Sequence, residues 1–168
     1  MRRPRALGAG FIGVLLVVVC AFAELGQQGS NERLDAVSMI HSEPITVRRG
    51  TRREARVTVV LREGFHINSN RPGSDLLKPT VLHVEAPAGI VVGKLRYPAP
   101  QELVPEFAPK ERLKVYGGRF AIGVPLTAKR NAKQGKQEIR GELSFQACND
   151  RACFAPKKLP VTIEVVVQ

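Results

Sequence analysis

Cys148 and Cys153, five positions apart, are the residues whose type and spacing offer chemistry. A thiolate is both nucleophile and leaving group, so a close pair can open and re-form a disulfide with a partner protein. Between them, Asn149-Asp150 supplies turn chemistry. The segment separates two predicted strands, Glu138–Ala147 and Leu159–Val167. At the tip of such a hairpin both cysteines lie near its base, within the roughly 4.4–6.8 Å Cα separation that a disulfide needs. Two readings stand side by side. As a staple, a ring of about six residues contributes roughly 2 kcal/mol in the chain-entropy model, a modest gain for a hairpin its turn already closes. As an exchangeable bond, a short exposed ring is easily strained and therefore more reducible. A zinc site is not expected, because two cysteines need two further ligands and no second pair exists. His66 and His83 are single residues on predicted strands, read as packing or surface positions.

The third cysteine, Cys20, lies in an N-terminal segment that reads as an address. Basic residues Arg2, Arg3 and Arg5 precede an uncharged run from Ala6 to Ala23, which ends in Ala21-Phe22-Ala23 before Glu24. Small residues at the first and third places of that triplet suit signal peptidase. Residues 1–23 are expected to be a cleaved signal peptide; the alternative is an N-terminal anchor, since about 18 apolar residues can just span a bilayer. Export places the remaining two cysteines where a disulfide persists.

The chain has 168 residues, with 26 Lys and Arg against 15 Asp and Glu, and no Trp. That length excludes a multidomain enzyme or a large cofactor-binding scaffold. Loss of the three leader arginines takes the net charge from +11 to +8. Two regions hold much of the excess: Arg48, Arg49, Arg52, Arg53 and Arg56, and Lys129, Arg130, Lys133 and Lys136. Spread along an exported chain, they read as a solvated surface with weak attraction to acidic partners or anionic lipid, and no nucleic acid is expected.

The elements that must position the cysteines are strands. Residues 24–43 are polar and expected to be a flexible lead-in. From Pro44 the apolar period is two: Ala55-Val57-Val59-Leu61, Leu82-Val84, Phe120-Ile122-Val124-Leu126, Ile139-Gly141-Leu143-Phe145 and Val161-Ile163-Val165-Val167. Such alternation buries one face of each strand. Turn signals separate the stripes, at Arg49-Gly50, Pro72-Gly73, Ala88-Gly89, Gly117-Gly118 and Gln134-Gly135. No stretch has apolar residues at helical spacing. Seven or eight short strands in residues 44–168 predict an all-β, antiparallel sandwich. Pro125 inside a stripe predicts an edge strand or a bulge. The Pro-rich stretch 98–109 reads as a long loop.

The order Gly64-Phe65-His66-Ile67-Asn68, Lys78-Pro79-Thr80, Tyr97-Pro98, Val115-Tyr116-Gly117-Gly118 and Phe145-Gln146-Ala147-Cys148-Asn149-Asp150-Arg151-Ala152-Cys153 resembles the N-terminal periplasmic domain of the thiol:disulfide interchange protein DsbD. Within that family it is similar to the stand-alone branch of disulfide bond corrector proteins. The resemblance covers residues 44–168, and its specific part is the cysteine segment. It implies an immunoglobulin-like sandwich in the periplasm, a monomer with no bound cofactor, and a redox-active pair at one end. It implies that Cys153 attacks and Cys148 resolves. It implies a membrane-embedded thiol reductase as electron donor, and oxidised thioredoxin-like proteins of cytochrome c maturation or disulfide isomerases as acceptors. A cap loop shields the cysteines in this family; Glu106 and Phe107 occupy its place here, with Phe65, His66 and Tyr116 as aromatic neighbours. Four residues separate the cysteines here, where longer family members often have five. The chain carries no membrane module or thioredoxin-like domain of its own, so donor and acceptors are expected to be separate proteins.

Overall fold

The computed structural model describes residues 35–105 and 109–168; the expected leader, the first part of the lead-in, and Glu106 and Phe107 lie outside them. The described residues form an immunoglobulin-like β-sandwich, with a third small sheet at one end and no helix long and apolar enough to cross a membrane. The first sheet has the order β1 (Val37–Ser42), β3 (Arg52–Leu61), β9 (Arg119–Ala128), β6 (Ile90–Val92). The second has β2 (Ile45–Val47), β12 (Lys157–Val167), β10 (Gly135–Phe145), β5 (Val81–Glu85). The third has β11 (Ala147–Cys148), β4 (His66–Asn68), β8 (Leu113–Gly117), β7 (Gln101–Leu103).

The predicted stripes face inward. Val57, Val59, Ile122, Val124 and Leu126 from the first sheet meet Ile139, Leu143, Ile163 and Val165 from the second, all at most 1 % exposed. The core runs in sequence from Ala36 to Val167, so the segment 33–168 closes its own interior. Pairing is antiparallel except between β2 and β12, which run parallel from Ile45–Val165 to Val47–Val167. The chain changes sheets at Glu43-Pro44, which lets the first strands cover both edges.

Three expectations need correction. The lead-in is not flexible over its described part: Val37–Ser42 is β1, paired with Leu61–Val57 through a register shift at Val37–Met39. That shift breaks the alternation that would have marked a strand. Pro125 is not on an edge, because β9 lies between β3 and β6. The strand tolerates it because Gly123 and Pro125 face the β6 side, where β6 has ended. There Gly93 donates to the Pro125 carbonyl (2.8 Å) and Arg96 bridges Gly123, so no donor is required of the proline. Finally, the 98–109 stretch contains the short strand β7, which pairs with β8 from Gln101–Val115 to Leu103–Leu113.

Ile163, fully buried between the sheets, tests the packing. Ile163→Ala is expected to lower the unfolding free energy by about 2–5 kcal/mol in urea titrations, the range for truncating a core aliphatic side chain. A loss below about 1 kcal/mol, the size seen for surface changes, would contradict this core.

Candidate functional site

The ladder between β10 and β12 ends at Phe145–Lys157, and the chain between these two residues makes a smaller hairpin that carries both cysteines. Its outgoing arm is β11, paired with β4 at Ala147–Ile67 and Cys148–His66. Its turn is built by Asn149, whose side-chain Oδ1 accepts from the N–H groups of Arg151 (3.0 Å) and Ala152 (2.9 Å). A local carboxamide acceptor of this kind substitutes for a main-chain carbonyl in a tight turn. The turn chemistry legible at Asn149-Asp150 is therefore used, with Asn149 as the group that closes it.

Main-chain bonds flank the cysteines. The Phe154 N–H donates to Ala147 C=O (2.8 Å), and the Asn149 N–H donates to Ala152 C=O (2.9 Å). Cys148 and Cys153 are directly opposite each other between those bonds. They occupy the non-hydrogen-bonded position of an antiparallel pair, where side chains stand closest. They are joined as a disulfide, with the Cα atoms 3.9 Å apart. The two sulfur-bearing residues differ in exposure: Cys148 is 0 % exposed, whereas Cys153 is partly open to solvent.

A polar knot holds this hairpin onto the sandwich. Gln146 Oε1 accepts from Asn68 Nδ2 (3.1 Å) and from the Lys78 N–H (3.1 Å), while Gln146 Nε2 donates to the Phe154 carbonyl (3.2 Å). Asn68 Nδ2 also donates to the Lys78 carbonyl (3.0 Å). One side chain thus ties both arms of the cysteine hairpin to β4 and to the 78–80 loop. Asn68 is fully buried, with its Nδ2 bonded and its Oδ1 without a partner; the knot ties the hairpin to β4 through Nδ2 and Gln146.

The other sequence-predicted residues divide. His66 stands opposite Cys148 in the ladder, is 8 % exposed, and has no hydrogen-bond partner for Nε2. Its burial holds the imidazole pKa below the ordinary 6.5, with the Asp150 carboxylate pulling the other way. Phe65 packs against Phe154, with ring centroids 5.9 Å apart. Tyr116 stands beside Ile67 in the β4–β8 ladder. It is 2 % exposed, stacks on Phe120 at 4.8 Å, donates to Asn70 Oδ1 (2.6 Å) and accepts from the Asn70 N–H (3.3 Å). It braces β8 against the chain after β4, and burial raises its phenol pKa. Two residues of the site were not singled out from the sequence. Phe154 is 43 % exposed directly after Cys153, and its signal is a large apolar residue inside a predicted loop. Gln146 lies within the cysteine motif, but the sequence does not disclose its partners 68 and 78 residues away. Among the described residues, no three His, Cys, Asp or Glu side chains are grouped to hold a metal ion.

The family model described as "Thiol:disulfide interchange protein DsbD, N-terminal" matches residues 37–164. No curated protein matches the chain. Among solved structures, the N-terminal periplasmic domain of ScsB from Proteus mirabilis aligns with a TM-score of 0.48 at 12 % identity, covering 69 % of this chain; the chain spans only 42 % of that structure's length. The Neisseria meningitidis DsbD N-terminal domain in the reduced form aligns with a TM-score of 0.46 at 16 % identity, covering 79 % of this chain and 86 % of the other. The seventh ScaB type I cohesin from Pseudobacteroides cellulosolvens aligns at 0.47 with 9 % identity, covering 77 % and 90 %.

The buried imidazole sets a pH dependence. A folded-state pKa below the unfolded value means the unfolded chain takes up the proton first. The stability associated with neutral His66 is therefore complete above about pH 6.5 and is lost as pH falls through the depressed folded value. The urea midpoint of the oxidised protein is expected to fall as pH drops from about 7 to 5, and His66→Phe to flatten that step. An equal slope in both proteins would remove His66 as its cause.

Proposed function

The chain belongs to the DsbD N-terminal domain family and is a thiol–disulfide interchange domain; on that premise we propose that it relays reducing equivalents through Cys148 and Cys153 from a membrane-embedded thiol reductase to oxidised exported proteins. The observation that carries this reading is the unequal exposure of the two cysteines in a bond at the tip of a hairpin. An incoming thiolate reaches Cys153 Sγ, while Cys148 Sγ is sheltered behind it.

The reaction balances without a cofactor. A donor thiolate attacks Cys153 Sγ, the Cys148–Cys153 bond breaks, and its electron pair leaves on Cys148 Sγ, which takes up a proton. The donor's second thiolate then attacks the donor sulfur of the mixed disulfide and releases Cys153 as thiolate. The donor is now a disulfide and the domain a dithiol. In the second half, Cys153 thiolate attacks an acceptor disulfide, and one acceptor sulfur leaves as thiolate and is protonated. Cys148, deprotonated, attacks Cys153 Sγ. This re-forms the Cys148–Cys153 bond and releases the acceptor as a dithiol, so two electrons have passed. His66 is the cross-strand partner of Cys148 and its buried Nε2 has no hydrogen-bond partner; in this reading it would take the Cys148 thiol proton when that cysteine resolves the complex.

The compartment is the periplasm in this reading, and the acceptors are thioredoxin-like or isomerase proteins. Glu106 and Phe107, assigned to a cap by the resemblance, lie outside the described residues. The partly exposed Phe154–Phe65 pair beside the hairpin offers an apolar contact to a docking partner. Exposed large apolar groups next to a reactive bond are typical of such surfaces.

A trapping experiment tests the roles. Cys148→Ser is expected to leave a stable mixed disulfide between Cys153 and a partner thiol protein, visible on non-reducing gels. Cys153→Ser is expected to keep the fold and lose exchange. Trapping by Cys153→Ser alone would reverse the assignment of attacker and resolver. A companion measurement separates relay from staple: the reduction potential of the folded protein, from alkylation in dithiothreitol buffers, is expected above about −300 mV. A lower value would mark a structural bond and sink the relay.

A further inference from the structure

Two basic segments distant in sequence meet at one end of the sandwich. The first is the turn into β3, with Arg48, Arg49, Arg52 and Arg53; the second is the turn from β9 to β10, with Lys129, Arg130, Lys133 and Lys136. Main-chain bonds join them: the Gly50 N–H donates to Ala128 C=O (2.7 Å), and the Ala128 N–H donates to Thr51 C=O (3.1 Å). Contact is close enough that a side chain at Gly50 would meet Arg130 Cγ at 3.6 Å. The Arg49 N–H donates to Gln168 C=O (2.7 Å), which brings the end of β12 to the same rim.

All eight cations are exposed. The ion pairs of the described residues use Arg96, Arg112, Arg140, Lys157, Lys158 and His83, and none of these eight. Stretches 48–53, 129–137 and 165–168 contain no Asp or Glu. Unpaired like charges within about 10 Å of one another repel at ordinary ionic strength, and an external anionic layer removes that repulsion.

We propose that this basic pole docks the domain on an anionic phospholipid surface. Arg48, Arg49, Lys129, Arg130 and Lys133 ride on the turns, and Arg52, Arg53 and Lys136 stand on the adjoining strand ends, a spread that suits an extended layer of phosphates. Duplex recognition instead needs an element that enters a groove, and single strands need stacking aromatics; neither is present among the described residues of the pole. Basic clusters gain affinity for anionic bilayers with each added Lys or Arg and lose it to salt. The cysteines are at the opposite end. The ladder from Gly135 to Phe145 places them roughly 33 Å away, at about 3.3 Å per residue. Lipid contact at the pole would therefore turn the disulfide toward soluble acceptors, and a membrane-embedded donor would reduce it only while the domain is off the lipid.

The test is sedimentation of the segment 33–168, which holds the whole core, with vesicles of phosphatidylcholine alone or mixed with phosphatidylglycerol. Binding to the mixed vesicles is expected to exceed binding to the neutral ones by about tenfold or more at low salt, and to vanish near 0.5 M NaCl, where the Debye length is only about 4 Å. Arg49→Glu with Arg130→Glu and Lys133→Glu is expected to abolish binding. Lys110→Glu with Lys114→Glu and Arg119→Glu, an equal charge change elsewhere, is expected to retain most of it. Near-ultraviolet dichroism checks that each variant is folded, and glutamine replacements at the same pole positions must reproduce the loss if the charge reversal unfolds. No preference for anionic vesicles, equal loss in both triple variants, or tighter binding to duplex DNA than to vesicles at the same salt would each overturn the proposal.

Discussion

Eleven consecutive pairs join β10 to β12, from Gly135–Val167 to Phe145–Lys157. This ladder fixes the position of everything else. Its buried residues Ile139, Leu143, Ile163 and Val165 form one wall of the core, so its register cannot slip by one without turning that wall to solvent. Because the register is fixed, so are both ends. One end delivers the chain to the turn that meets Arg48–Thr51, and the other hands it to the cysteine hairpin. The reactive bond is thus held by the most extensive pairing in the molecule, although its own ring spans only six residues.

The hairpin's local geometry then decides which sulfur is accessible. Direct cross-strand placement between two flanking main-chain bonds brings the cysteines together by backbone pairing alone. The pairing of β11 with β4 covers Cys148, while the return arm beyond Cys153 is tied at Phe154 N and, through Gln146, at Phe154 O. The hairpin is therefore anchored at its base, in main-chain and side-chain bonds that do not need the disulfide. The Asn149 turn, the Ala147–Phe154 bond and the Gln146 knot are made without the S–S bond. A scaffold that survives loss of the bond is what reversible exchange requires, whereas a staple has most effect where nothing else closes the loop.

The sequence is readable where one physical rule dominates. Period-two stripes at Ala55–Leu61, Phe120–Leu126 and Val161–Val167 mark strands because half of each side-chain set must be buried. The cysteine hairpin is readable because Asn149-Asp150 is turn chemistry between two such stripes. Where rules compete, reading fails. The bulge in β1 shifts its alternation, and Pro125 enters an inner strand because its missing donor faces a break in β6. The bonds of Tyr116 to Asn70, 46 residues away, are equally invisible in the sequence. Contacts between distant segments, such as Gln146 with Asn68, leave no local trace at all.

The same blindness to distance governs charge. Along the chain, Arg48–Arg53 and Lys129–Lys136 are two separate basic runs, each unremarkable on a solvated surface. Pairing of β3 with β9 at Arg52–Thr127 makes them one. Eight cations on the adjoining turns and strand ends repel, and none of them is ion-paired, the nearest carboxylates in sequence being Glu54 and Glu138. A surface shaped only by solubility would intersperse signs, as Arg140 with Glu138 and Lys158 with Glu142 do along the second sheet. The ion pairs thus lie along the sandwich flanks, and the turns at the end farthest from the disulfide carry none. That segregation gives the molecule a polarity, with charge at one end of the β10–β12 ladder and thiol chemistry at the other.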